Sequence, residues 1–229
     1  MSRPDAAGPD GAAGAAARVL VVCTANVCRS PTTALLLHQR LRATGADIAV
    51  ALQTAGTDAD PGAGFCPVAA DLVGPAAGRL LDGHASHLLT RADLEEADLV
   101  LVMERAHRAA VVALSPGAGL RTFTLREAAA LAGALGQRLG DGRGQPGGRP
   151  GRDVPGLVRA MHAARGTVVP AAHPRPLGDR LQRASRVDPL DVPDAHVRRR
   201  TTHAQVLALL QEGVHGWVAG LVGPARRRA

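Results

Sequence analysis

The chain has no tyrosine and no lysine, and its only aromatic side chains are Phe65, Phe123 and Trp217. Proteins that grip single-stranded nucleic acid set aromatic platforms among their basic residues. A chain this poor in rings is therefore not read as a nucleic-acid binder, whatever its charge. Without tyrosine it also cannot be switched by phosphorylation of its own tyrosines. Cysteine is scarce: Cys23, Cys28 and Cys66 are odd in number and irregular in spacing. That excludes a disulfide framework and suits a reducing compartment. No apolar run approaches the ~20 residues that span a bilayer. The first residues lack the charged-then-apolar order of a secretory signal. The expectation is a soluble, cytoplasmic protein with no membrane span.

What the chain does have is arginine. All 27 of its basic residues are Arg, against 20 acidic ones, for a net charge of +7 and a sequence pI of about 11.1. Such a field attracts anions. Hydrophobic residues make up 46% of 229, enough for a core of Leu, Val and Ala in one domain with extensions.

One stretch concentrates the chemistry: Arg18-Val-Leu-Val-Val-Cys-Thr-Ala-Asn-Val-Cys-Arg-Ser-Pro31. An apolar run too short for a helix leads into Cys23, and a helical pattern follows over Thr32 to Leu41. This reads as buried strand, tight loop and helix start, with Ser30 as N-cap and Pro31 at the first helical position. The loop Cys23 to Arg29 then sits at a helix N-terminus, where amide groups and the helix dipole favour an anion. Arg29 adds a fork for two phosphate oxygens. The same surroundings favour thiolate over thiol, and a thiolate beside a phosphate ester is a nucleophile aimed at phosphorus. The residues alone leave two readings of Cys23, this nucleophile or a buried cysteine at a strand end.

Strand and helix patterns alternate downstream. Asp47 to Thr57 reads as a second strand, Pro67 to Val73 as a short helix, and Thr90 as the cap of a helical turn. Ala97 to Met103 is a third strand, Glu104 to Leu114 a helix, Arg121 to Leu125 a fourth strand, and Arg126 to Leu139 a helix. Leu207, Leu210, Val214, Trp217 and Leu221 form one apolar face of a last helix over Arg199 to Leu221. The predicted fold is α/β, a four-stranded parallel sheet flanked by helices on both faces, with the anion loop at the carboxyl end of its first strand. Residues 1–17 are expected to be disordered, 18–225 to form one domain, and 226–229 to be a basic tail. Within that domain a Gly/Arg/Pro-rich stretch at about 140–182 reads as a flexible basic insertion, with a short helix over Gly156 to Arg165 inside it. His107 reads as a solvated helix residue, His84 and His87 as structural hydrogen-bonding groups, and Cys66 as packing. Nothing in the pattern specifies an oligomeric state.

The segment Val22-Cys-Thr-Ala-Asn-Val-Cys-Arg-Ser-Pro31 resembles the phosphate-binding loop of the low-molecular-weight protein tyrosine phosphatases. Thr54-Ala-Gly-Thr57, His84-x-Ser86 and Ala97 to Met103 resemble that family in the same order. The resemblance implies a cysteine-dependent phosphomonoester hydrolase that passes through a phosphocysteine. It would need no cofactor and no metal, with protein phosphotyrosine as substrate and inorganic phosphate or sulfate as a loop ligand. Cys23 would be the nucleophile, Arg29 the phosphate clamp and Asp194 the proton donor. Thr24, Ala25, Asn26, Val27, Cys28, Ser30 and His196 would bind substrate or shape the loop. Asn26 would hold the loop open, Ser30 would hydrogen-bond the Cys23 thiolate, and Cys28 could form a reversible disulfide with Cys23.

The acid is sought in Val187-Asp-Pro-Leu-Asp-Val-Pro-Asp-Ala-His196. The register Asp191-Val-Pro-Asp194 favours Asp194, with Asp188 before Pro189 as the alternative and turn-capping as the plainer role. Three departures from the family pattern stand out. Ala25 replaces a glycine and would be strained if φ were positive there. Ala195 replaces a proline, and His196 replaces the aromatic that would line a phosphotyrosine ring. Two rivals remain: an arsenate reductase on the same scaffold, and an anion-binding module without turnover.

Overall fold

A computed structural model of the chain describes residues 16–75, 79–140, 153–168, 188–198 and 201–223. Residues 1–15 of the expected lead-in, most of the basic insertion and the basic tail lie outside the described residues; Ala17, expected in the lead-in, is instead the first residue of the first strand. Four strands, β1 Ala17–Cys23, β2 Val50–Gly56, β3 Leu99–Val102 and β4 Thr122–Thr124, form one parallel sheet in the order β2-β1-β3-β4. The helices are α1 Arg29–Ala43, α2 Pro67–Val73, α3 Arg91–Glu96, α4 Arg105–Leu114, α5 Leu125–Gly140, α6 Val154–Ala163 and α7 His203–Val222. The expected fold class is the observed one.

The strands explain their own composition. Successive side chains on β1 face opposite sides, so Val19, Val21 and Cys23 enter one core and Leu20 and Val22 the other. Both faces are covered, which is why the run is apolar without alternation. The larger core also holds Leu99, Leu101, Phe123, Leu131, Leu210 and Trp217. The smaller holds Val100 and Val102 with Leu94, Val111 and Ala118. Thr90 caps α3 through a capping box, and Thr202 does the same for α7, fixing both helix starts.

Two features depart from the sequence reading. The short helix expected over Gly156 to Arg165 is present as Val154–Ala163, but it belongs to the core and not to a solvated spacer. Asp153 accepts from the Gly156 amide at 3.0 Å to start α6, and Val154, Leu157, Val158 and Met161 are buried. Beyond it, the Arg165 guanidinium lies 4.2 Å from the centre of Phe123 and donates to the Thr122 carbonyl at 2.7 Å. The flanking Gly/Arg composition hides this short apolar face.

The second feature is the contact between α5 and α7. A Cβ on Gly220 would come within 2.4 Å of Ala132 backbone atoms, and one on Gly213 within 2.7 Å of Leu125. These glycines let the two helices approach closely, a role that hydrophobic periodicity does not register. Gly220→Val should therefore destabilise by about 1–3 kcal/mol or more through overpacking. Gly133→Ala on α5, where a Cβ meets nothing within 4 Å, should stabilise by roughly 0.5–1 kcal/mol. Urea midpoints with unchanged slopes check both; a neutral Gly220→Val would refute the close packing.

Candidate active site

The loop between β1 and α1 hangs from the ends of two strands. The Thr57 amide donates to the Cys23 carbonyl at 2.9 Å, the Asp58 amide to Thr24 O at 2.9 Å, and the Met103 amide to Val22 O at 3.1 Å. Gly56 lies against the loop backbone: a Cβ there would sit 2.4 Å from Thr24 O and 2.9 Å from the Asn26 amide. The Thr54-Ala-Gly-Thr57 turn thus needs its glycine for close approach.

Helix α1 starts at Arg29, one residue before the expected cap. Cys28 occupies the N-cap position without a side-chain cap bond. Ser30 and Pro31 lie inside the first turn, where proline is tolerated because its missing N–H has no helical partner. A helix start without a side-chain cap leaves first-turn amides to an oxyanion. Ser30 is used elsewhere, as the end of a directional chain. The His87 amide donates to Asn26 Oδ1 at 2.8 Å, which fixes that amide's orientation. Asn26 Nδ2 donates to Ser30 Oγ at 2.9 Å, and Ser30 Oγ lies 3.1 Å from Cys23 Sγ. Since Ser30 accepts from Asn26, its own proton is free for the sulfur. Asn26 is also the residue with φ of +57°, the one positive-φ non-glycine among the described residues, and the His84 ring donates to its carbonyl at 2.7 Å. Asparagine tolerates this region. Ala25 is not in it, so the strain feared there is absent.

Arg29 is 2% exposed. Its guanidinium pairs with Glu104 and with Asp194, the latter at 2.5 Å, and donates to Val192 O at 3.0 Å and Thr24 Oγ1 at 3.1 Å. Burying an ion costs several kcal/mol unless it is paired, and four acceptors meet that need. Asp194 and Asp188 have different surroundings. Asp194 reaches Arg29 and also accepts from the His196 amide at 2.8 Å. Asp188 pairs with Arg105 at 2.5 Å and accepts from the Leu190 amide. Asp191 accepts from the Arg105 amide at the start of α4, and burial raises its pKa above the ordinary carboxylate value.

His107 corrects the sequence reading. It is buried, with Nδ1 accepting from the Glu104 amide at 3.0 Å and Nε2 at 2.9 Å from Thr24 Oγ1. An amide can only donate, so Nδ1 is unprotonated and Nε2 carries the proton. Thr24 Oγ1 then accepts from both His107 and Arg29, leaving its own O–H for the loop. The capping box of α4 uses this histidine where sequence rules look for a carboxylate or glutamine, which is why it was missed. Glu104 was likewise read only as a helix start.

Cys28, Cys66, His196 and His203 meet beside the loop, with their ligand-type atoms within 4.8 Å of one another. Cys66 is therefore more than packing. Its Sγ lies 3.6 Å from His203 Nε2, which lies 3.2 Å from His196 Nε2. Burial and the adjacent Cys66 raise the Cys28 thiol well above its ordinary value. All three cysteines are free.

Burial and the Arg29 charge push the His107 pKa down to about 4. Between that value and ~6.5 in the unfolded chain, the unfolded state binds the extra proton. The contribution is complete above pH ~6.5 and is lost as pH falls toward 4, by roughly 3 kcal/mol at most. Urea unfolding at pH 7 and pH 4.5 should show a smaller acid loss for His107→Gln than for the parent. Equal losses would refute the assignment.

The sequence pattern of the low molecular weight phosphotyrosine protein phosphatases matches residues 18–130. Low molecular weight protein-tyrosine-phosphatase Wzb of Salmonella typhi is 35% identical over 102 residues, 43% of this chain and 62% of that protein. The chain thus spans somewhat under two thirds of that relative's length. Probable low molecular weight protein-tyrosine-phosphatase AmsI of Erwinia amylovora is 34% identical over 105 residues, 46% of this chain and 68% of that protein. The crystal structure of the tyrosine phosphatase Wzb from Escherichia coli K30 in complex with phosphate shares the fold, with TM-score 0.51 and 21% identity over 89% of this chain and 97% of that one. Among the described residues no helix is long and apolar enough to cross a membrane. On its loop, its sheet order and these likenesses, the chain belongs to the low molecular weight phosphotyrosine protein phosphatase family.

Proposed function

We propose that the protein hydrolyses phosphomonoesters, with protein phosphotyrosine as substrate, through a phosphocysteine on Cys23. The observation that carries this reading is the convergence on one helix start of a cysteine, a buried arginine and a carboxylate from a distant loop. Cys23 Sγ attacks phosphorus as the phosphorus–oxygen ester bond breaks. Arg29, the first-turn amides of α1 and the Thr24 hydroxyl hold the equatorial oxygens. Asp194 gives its proton to the leaving oxygen. Water then attacks phosphorus, the sulfur–phosphorus bond breaks, the Asp194 carboxylate takes the water proton, and inorganic phosphate departs. The residues supply a nucleophile, a clamp and a proton carrier, so the route uses no metal or cofactor.

The pairing of Asp194 with Arg29 gives the cycle an order. A phosphate dianion competes with that carboxylate for the same guanidinium, and its arrival releases Asp194 toward the leaving oxygen. Glu104 stays on the other side of Arg29 and keeps the buried cation paired throughout. The tyrosine phosphatase Wzb from Escherichia coli K30 was solved in complex with phosphate and in complex with sulphate, which supports phosphate or sulfate as ligands here. His196 is exposed beside the site, where a phosphotyrosine ring would meet an imidazole. A cytoplasmic setting fits, because the cycle needs Cys23 reduced. The relaxed backbone at Ala25 weakens the case for a module without turnover.

Hydrolysis of para-nitrophenyl phosphate tests the reading. Cys23→Ser should be inactive, and rates equal to the parent's would refute it. Asp194→Asn should lose ~10²–10⁴-fold in kcat and yet bind inorganic phosphate more tightly, because the competing charge is gone. Weaker phosphate binding in Asp194→Asn would refute the competition.

A further inference from the structure

Apart from His196, which faces the substrate ring, the cluster beside the loop takes no part in the proposed reaction, and its geometry is specific. It draws on four separate places: Cys28 before α1, Cys66 before α2, His196 two residues after Asp194, and His203 at the first position of α7. All four present soft or borderline donors, and the set contains no carboxylate. Such a set selects Zn²⁺ over Mg²⁺ or Ca²⁺.

In a tetrahedral zinc site, with Zn–S about 2.3 Å and Zn–N about 2.0–2.1 Å, two imidazole nitrogens lie about 3.3 Å apart and a sulfur and a nitrogen about 3.6 Å. Here the two Nε2 atoms are 3.2 Å apart, and Cys66 Sγ and His203 Nε2 are 3.6 Å apart. The imidazoles meet edge to face at 87°, with centres 4.6 Å apart, so both nitrogens converge without ring stacking. Both sulfurs are buried, His203 is half-buried and His196 is exposed. The site is thus closed on its sulfur side and open for entry at His196.

We propose that Cys28, Cys66, His196 and His203 form a tetrahedral Zn²⁺ site that ties the Asp194 loop to the phosphate loop and to the start of α7. On binding, the two thiols release their protons to solvent and both histidines coordinate as neutral rings through Nε2. The site is structural, since four protein ligands leave no open position. It does not depend on the phosphatase reading, and its tests use no turnover.

The full chain, reduced and stripped with a chelator, is titrated with Zn²⁺ and with Co²⁺. One equivalent should bind. The cobalt form should show the strong visible absorption of a tetrahedral site and a thiolate-to-cobalt charge-transfer band. Zinc should slow amide exchange across 191–198. Cys66→Ser and His203→Asn should each weaken binding by at least the roughly 100-fold that loss of even an outer partner can cost, whereas Cys23→Ser should retain the band. A parent protein without the charge-transfer band overturns the proposal. So does a band that survives Cys66→Ser and disappears in Cys23→Ser, which would put the metal on the nucleophile. If Cys66→Ser fails to fold, the parent titration and Cys23→Ser decide alone.

Discussion

The buried guanidinium of Arg29 is the constraint around which the site is arranged. A cation that is almost fully enclosed must be surrounded by acceptors, and its four acceptors, Thr24, Glu104, Val192 and Asp194, come from three parts of the chain. Satisfying one charge therefore draws together the end of β1, the start of α4 and the segment before α7. The Val192 amide reaches the Met103 carbonyl at 2.7 Å, so the distant segment docks where β3 ends. Arg29 is at once what the scaffold must compensate and what a phosphate would seek.

Around that charge lies a layer whose polar groups have fixed directions. Backbone amides set them, because an amide cannot accept. The His87 amide orients Asn26, which orients Ser30, which directs a proton at Cys23. The Glu104 amide fixes His107 as neutral, and His107 orients Thr24. Two separate chains of bonds thus end at the loop, one at the Cys23 sulfur and one at the Thr24 hydroxyl. Buried polar networks of this kind are costly when any member is unsatisfied, and preorganised donors need no reorganisation as charge develops.

The sheet and its loop were legible because they rest on local rules. Both-sided burial makes β1 and β3 apolar runs, and the segment from Cys23 to Pro31 carries its chemistry in its residue types. What stayed hidden depends on distant contact. His107 looks like any helix histidine until Thr24 approaches it from more than 80 residues away. Gly213 and Gly220 look like helix breakers until α5 lies against them. The short helix around Gly156 to Arg165 was legible, but its burial in the core was not, because its arginine- and glycine-rich flanks read as a solvated spacer; Ser30 meets the Cys23 sulfur as the family resemblance implies, and it is not the N-cap. Cys66 could not be paired with His203 by any spacing rule.

The placement of Asp194 shows why such a site tolerates a long excursion of chain. Closing a loop costs only about 0.6 kcal/mol more for each doubling of its length, so added chain length between α5 and Asp194 costs little. The apolar face of α6 divides the excursion by returning the chain to the core at Leu157 and Met161, and α7 secures the far side through Leu210 and Trp217. Between these anchors the short segment at Val192 is held by the Met103 carbonyl, the Arg29 guanidinium and the start of α4 at Arg105. The carboxylate is thus positioned by a strand end and a buried charge as well as by the His196 amide beside it, and the departure at Ala195 leaves that positioning intact.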